Sequence, residues 1–289
     1  MTTVDTINVG KYIFKVKKSI LKYGDRIISH TYKFGGDYED CINISYKYDQ
    51  TNKPISVSIP HLLYEPECTI GQSLEKGGGT EQLIKSAIQY CYKENPSLSR
   101  FEFDDMSHID CVEKDLTKSP PRKPIQPVNL AFFSIAYHGK TWYESRFQAE
   151  MLNTEQYSAY KKRLTFLLSP TEKVSFLNFL QIAQPPAEQI EILQPIYESS
   201  TTYRDFFEAI PKEKRCKLLY FWLSIFMKHY LKGVFSENGW FIDAKKTRQS
   251  GGGTRKRLRY MPKQYRLISY APFHSLSVLL ENQDINFGN

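Results

Sequence analysis

Along the first sixty positions apolar residues recur at every second place. Tyr12-Ile13-Phe14-Lys15-Val16, the stretch from Asp25 to Tyr32, and Cys41 to Tyr48 each read as a strand, the last with Ile42, Ile44, Tyr46 and Tyr48 on one face. Gly35-Gly36-Asp37 and residues 49–54 supply the turns between them. Ile55, Val57 and Ile59 continue the alternation over residues 55–65, where Pro60 marks an edge, a bulge or the strand's end. The period then lengthens. Leu83, Ile84, Ala87, Ile88 and Cys91 share one face and Glu81, Gln82, Lys85 and Gln89 the other, which predicts a helix from Glu81 to Lys93. Arg100 to Asp104 alternates again, so the local order is strand, glycine turn, helix, strand.

Prolines 120, 121, 124 and 127 make residues 114–128 an extended connection. Between Asn129 and Phe147, Leu130, Phe133, Ala136 and Tyr137 fall in helical register, followed by Gly139 and the Trp142-Tyr143-Glu144 cluster. Helical patterning dominates from Thr154 to Gly233. Ser169-Pro170-Thr171-Glu172 has the form of a capping box leading into Val174, Leu177, Phe179 and Leu180. A short helix ends near Tyr197, another covers Thr201 to Ile210, and a long one runs from Lys212 to Lys232 and stops at Gly233. Phe273 to Leu280 returns as a last strand. The expectation is an α+β chain with a mixed, mostly antiparallel sheet flanked by helices. It divides into residues 1–150, a helical region 151–235, and a basic segment 236–289.

Composition refines this picture in two respects. Apolar residues make up 41% and charged residues 24%, as in an ordinary globular protein, and the longest apolar run, Leu218 to Met227, is too short to cross a bilayer. Five cysteines without a C-x-x-C, and an amino terminus without a signal-peptide pattern, predict a reduced, intracellular setting (host cytoplasm or virion for a viral protein). Charge is distributed unevenly. Nine Lys and Arg and no acid lie between Ala244 and Leu280, more than the whole chain's net charge of +8, so the remainder is close to neutral. Arg255, Lys256, Arg257, Arg259, Lys263 and Arg266 could neutralise nucleic-acid phosphates, with Tyr260, Tyr265 and Tyr270 available for stacking on bases. An acidic protein partner, a nuclear address or a solvated arm accounts for the same run.

The helix after the glycines begins with Lys76, Gly77, Gly78, Gly79 and Thr80, a sequence that can offer unpaired amide N–H groups to an anion. Its lysine precedes the glycines, which excludes a P-loop, and its spacing is not that of a dinucleotide fingerprint. A tight turn before a capped helix is the plainer alternative. Asp104 to Cys111 holds three aspartates, a histidine and a cysteine, but turn-forming aspartates explain it better than a metal site, and no metal is expected. No Gly-x-Ser-x-Gly appears, so a serine nucleophile has no support.

An antiparallel run ending in a strand, a glycine turn and an amphipathic helix resembles the GNAT superfamily of acetyl-coenzyme-A-dependent N-acetyltransferases. Gly77 and Gly79 match the small positions of its Q/R-x-x-G-x-G/A motif; Leu74 stands where Gln or Arg is usual, and Lys76 would supply the charge. Asn129, Tyr137 and Gly139 follow in the order of a second family segment, although Lys140 replaces an aromatic residue. The resemblance covers residues 10–150 and implies an acetyl-CoA cofactor, an amine acceptor, and cofactor contacts from Lys76, Gly77, Gly78, Gly79, Thr80 and Asn129. It further implies a tyrosine that protonates the departing thiolate, Tyr137 first and Tyr143 second, with Asp105, His108, Glu65 or Glu67 taking the amine's proton. The Lys-, Ile-, Asn- and Tyr-rich composition is similar to that of proteins from giant DNA viruses. The competing expectation is a non-enzymatic virion or nucleic-acid-associated protein with a degenerate form of this fold and a basic arm.

Overall fold

The alternating segment folds as five successive antiparallel strands: β1 (Thr2–Val9), β2 (Tyr12–Tyr23), β3 (Arg26–Gly35), β4 (Asp40–Tyr48) and β5 (Pro54–Leu63). Gly10 and Gly24, both at φ 59°, close the first two hairpins in a left-handed conformation that other residues adopt only at a cost. The computed structural model describes residues 2–75, 78–111, 125–249, 265–270 and 274–280. Tyr12, Phe14, Val16, Tyr32, Phe34, Ile42, Ile44 and Val57 line the buried face of the sheet. Against it packs α1 (Gly78–Glu94), whose Leu83, Ile84, Ala87, Ile88 and Cys91 are the apolar stripe expected from the periodicity.

The chain continues through β6 (Arg100–Phe103), β7 (Ser107–Cys111) and β8 (Ile125–Asn129) to α2 (Leu130–His138), α3 (Trp142–Phe147) and β9 (Glu150–Met151). A helical layer follows: α4 (Thr154–Arg163), α5 (Phe176–Ala183), α6 (Ala187–Ser199), α7 (Tyr203–Ala209), α8 (Arg215–Leu219) and α9 (Leu223–Leu231). The chain then rejoins the sheet through β10 (Trp240–Asp243), α10 (Ala244–Gln249), β11 (Tyr265–Tyr270) and β12 (His274–Leu280). The fold is α+β, a mixed and mostly antiparallel sheet flanked by helices. None of the described helices is long and apolar enough to cross a membrane.

Strand β5 is the point where the sheet divides. Its first half pairs in parallel with β6 (Val57 with Phe101, Ser58 with Glu102), and β6 continues to β10 and β9. Its last residues pair instead with β11, leading on to β12, β7 and β8. Between the two, Asn43 of β4 faces His61 while Ser45 faces Ser58, so Ile59 and Pro60 form a bulge, one of the options the proline left open.

Several expectations need correction. Ser169 makes no capping bond and Pro170–Glu172 is a single 3₁₀ turn; α5 starts later, capped by Ser175. The long helix from Lys212 is broken into a 3₁₀ turn, α8 and α9. Residues 125–128 of the proline-rich connection belong to β8, and its residues 114–124 lie outside the described residues. Finally, Cys41 and Cys68 form a disulfide, and Cys216 is disulfide-bonded as well, against the expected reduced set; Cys91 is a buried free thiol. Cys41 and Cys68 are 27 residues apart, outside any short motif, so only the fold brings them together.

Candidate functional site

The connection from β5 to α1 is tied down along its length. Ile70 N–H donates to the Ile13 carbonyl at 2.8 Å, and the Thr69 hydroxyl donates to the same carbonyl at 2.9 Å. The Tyr64 phenol donates to the Leu74 carbonyl at 2.9 Å, the Glu75 amide donates to the Tyr12 phenol at 3.2 Å, and Lys11 pairs with Glu75. The Cys41–Cys68 bridge clamps this connection to the start of β4.

At the helix start the glycines differ. A Cβ on Gly79 would meet Leu74 Cδ1 at 2.9 Å and the Tyr12 phenol oxygen at 3.2 Å, so close packing requires glycine there. Its amide donates to the Glu75 carbonyl at 3.0 Å, which corrects the expectation that this N–H is available to a ligand. Gly78 is exposed and a Cβ on it would meet nothing within 4 Å. Thr80 is 1% exposed, and its hydroxyl oxygen has no hydrogen-bond partner among the described residues. Lys76 and Gly77 lie outside the described residues. Glu81, in the first turn, pairs with Lys85 at 2.7 Å and Arg146 at 3.3 Å.

Where β5 and β6 part, a narrow cleft is lined by Ile59 and Leu62 of β5, Ile84 and Ile88 of α1, Phe103, and Tyr143 of α3. Its free volume is about 10 Å³, room for roughly one water. Tyr143 enters this wall because Thr141 and Glu144 form a capping box that starts α3, and because its ring packs on Phe103 at 4.6 Å. Glu144 is buried and accepts bonds from the Tyr157, Tyr160 and Lys161 side chains, which fixes α3 against α4. Behind Tyr143 lies the turn after β6. Ser107 donates its hydroxyl to Asp105 at 2.6 Å, and the Tyr143 phenol faces both groups. Burial pushes the Asp105 carboxyl up to about 7; the Ser107 hydroxyl and amide oppose the rise, and Glu237 and Glu144 add to it. Burial also raises the Tyr143 phenol, keeping it protonated at neutral pH.

The structure thus brings together Tyr143 and Asp105 of the anticipated residues, along with Ser107, which sequence reasoning missed. Tyr137 lies elsewhere, in the helical layer, tilted against Phe133, edge-on to Phe207 and covered by the Arg215 guanidinium at 4.1 Å. Asn129 is the N-cap of α2: its oxygen accepts from Phe132 N–H at 3.0 Å and its amide donates to Glu237 at 2.7 Å. Both ends of that side chain serve the fold. Glu65 and Glu67 belong to the clamped connection, where the Cys68 amide donates to the Glu65 carbonyl at 3.1 Å. His108, next to Ser107 on the opposite face of β7, donates from Nδ1 to the Met106 carbonyl at 2.7 Å. Arg255, Lys256, Arg257, Arg259 and Lys263 lie outside the described residues, and Arg266 is placed only by its backbone, in β11. Among the described residues no three His, Cys, Asp or Glu side chains gather as a metal site. No family model, no curated protein sequence and no solved structure matches the chain.

Proposed function

We propose that this protein transfers an acetyl group from acetyl-CoA to an amine, the activity implied by the resemblance to GNAT N-acetyltransferases. The observation that carries the reading is the parting of β5 and β6 at a tyrosine-walled cleft that the middle of α1 covers. A coenzyme lying along that gap would set its diphosphate at Gly78 and Thr80, whose buried hydroxyl has no partner among the described residues. Its thioester would reach the bulge at Ile59 and Pro60, where Ile59 supplies the one N–H of the pair, proline having none, to a developing oxyanion. Tyr143, rather than Tyr137, then stands where the departing thiolate needs a proton. The cleft must widen on binding, since its free volume holds about one water.

Calorimetric titration of the full chain with acetyl-CoA tests this. Binding in the micromolar range, abolished by Gly78→Glu, is the expected result. The new carboxylate has open space, so the variant folds normally while repelling the diphosphate. Absence of binding, together with salt-sensitive retention on DNA or RNA that is lost on deleting residues 245–266, overturns the proposal in favour of a nucleic-acid-associated protein.

A further inference from the structure

We infer that Asp105 and Ser107 are positioning residues for Tyr143, forming with it a proton chain from the buried turn after β6 to the wall of the cleft. This deepens the acyl-transfer reading and rests on it for the chemical step. All three side chains are sealed from solvent, at 2%, 0% and 2% exposure for Asp105, Ser107 and Tyr143. The Ser107 hydroxyl donates to Asp105 Oδ1 at 2.6 Å, and the phenol faces that pair.

The turn is held from outside the strand. Asp105 N–H donates to the Glu237 carbonyl at 2.6 Å, and Gly239 N–H donates to Asp104 at 2.9 Å. Glu237 and Glu144 are the charged groups that face the Asp105 carboxyl, and the Tyr143 and Tyr160 phenols are the neutral titratable ones. Acidic neighbours and burial both favour the protonated carboxyl, so near pH 7 it can give or take a proton. A carboxylate kept only to fasten a turn gains nothing from acidic neighbours.

In the transfer step the acceptor nitrogen bonds to the thioester carbon as the carbon–sulfur bond breaks. When Asp105 is protonated the bond between it and Ser107 reverses, the carboxyl donating to the Ser107 oxygen and freeing the serine proton. The thiolate takes the phenol proton of Tyr143, the phenolate is refilled by Ser107, and Ser107 by the Asp105 carboxyl. The proton lost by the nitrogen goes to water, and Asp105 regains one from water along the same path. Amine and acyl thioester become amide and thiol, with no net change in the chain.

Two readouts on the full-length protein test the inference. In the infrared, the wild type should show a protonated-carboxyl band that disappears as pH rises through about 7. Asp105→Asn should remove that band, and both Ser107→Ala and Tyr143→Phe should shift it. A band absent at pH 5, or unmoved by Tyr143→Phe, overturns the chain whether or not coenzyme binds. With acetyl-CoA and a simple primary amine, thiol release should fall as pH rises through the same value. Asp105→Asn and Ser107→Ala should slow it by about tenfold or more and erase that inflection. Slower release with the inflection intact would mean the two residues are structural only, and the inference fails. No thiol release from the wild type removes the acyl-transfer reading, while the infrared result still decides the chain.

Discussion

Breaking the Cys41–Cys68 bridge should destabilise the protein through the unfolded chain more than through lost contacts. The cysteines are 27 residues apart, and the chain-entropy relation for a closed loop of that size gives about 3.5 kcal/mol at 25 °C. Both side chains are fully buried, so the bridge adds no exposed strain point, and Cys68→Ala with Cys41→Ala removes little volume. For a chain of 289 residues the loss corresponds to a fall in Tm of about 6 °C. Denaturant unfolding of wild type and double variant, each with and without a thiol reductant, measures it directly. Wild type should fall to a lower midpoint when reductant is present throughout, and the double variant should respond less, through Cys216 alone. A double variant as stable as the oxidised wild type would refute the argument. So would purified, oxidised protein in which Cys41 and Cys68 both react with a thiol reagent after unfolding.

Two further outcomes follow from the same geometry. Gly79→Ala should destabilise by about 1–3 kcal/mol because its methyl meets Leu74 and the Tyr12 phenol, whereas Gly78→Ala, with open space, should be neutral or stabilising by up to about 1 kcal/mol; paired chemical denaturation distinguishes them. Two buried groups should also set opposite pH dependences. Asp105 has its carboxyl raised from 3.8 to about 7, so the folded state holds an extra proton and stability falls as pH climbs through that window, by on the order of 4 kcal/mol. His30 is lowered from 6.5 to about 4, chiefly by burial and then by Lys18, so stability is full above 6.5 and falls as pH drops, by about 3 kcal/mol. The wild type should therefore show a shallow profile between pH 4 and 7. Asp105→Asn should make stability rise with pH there, and His30→Gln should make it fall; two variants with parallel profiles would refute the assignment.

Periodicity made the amino-terminal half legible. Strands β2 to β5 and helix α1 carry clean two-fold and 3.6-fold patterns because each buries one face against the other. The helical layer was harder to read. Lys212 to Lys232 looks continuous because Leu218 to Met227 is apolar at every position but Ser224, and a stripe that wide shows no break where α8 gives way to α9. At Ser169 the sequence form of a cap was present without the bond, while the boxes that do form, at Thr141 with Glu144 and Thr202 with Asp205, have the same spacing. Spacing alone cannot separate them. The disulfide and the bond from Ser107 to Asp105 were invisible for another reason, since each depends on backbone placement that no local pattern encodes.

That dependence explains why the carboxy-terminal half matters to a site built mainly from the first 150 residues. The turn holding Asp105 is a strand end, and by itself it would be wetted and its carboxyl ordinary. It becomes dry because Glu237 accepts the Asp105 amide, Gly239 donates to Asp104, and β10 lays Trp240 opposite Phe103. From the other side Glu144, fixed by Tyr157, Tyr160 and Lys161 of α4, holds α3 so that Tyr143 closes the cleft. Buried apolar residues run without interruption from Tyr12 of β2 through Phe226 of α9 to Ile242 of β10. The helical layer would therefore act on the proposed chemistry by excluding water: none of its described residues lines the cleft, but it sets the dielectric in which the carboxyl and phenol behind the cleft hold their protons.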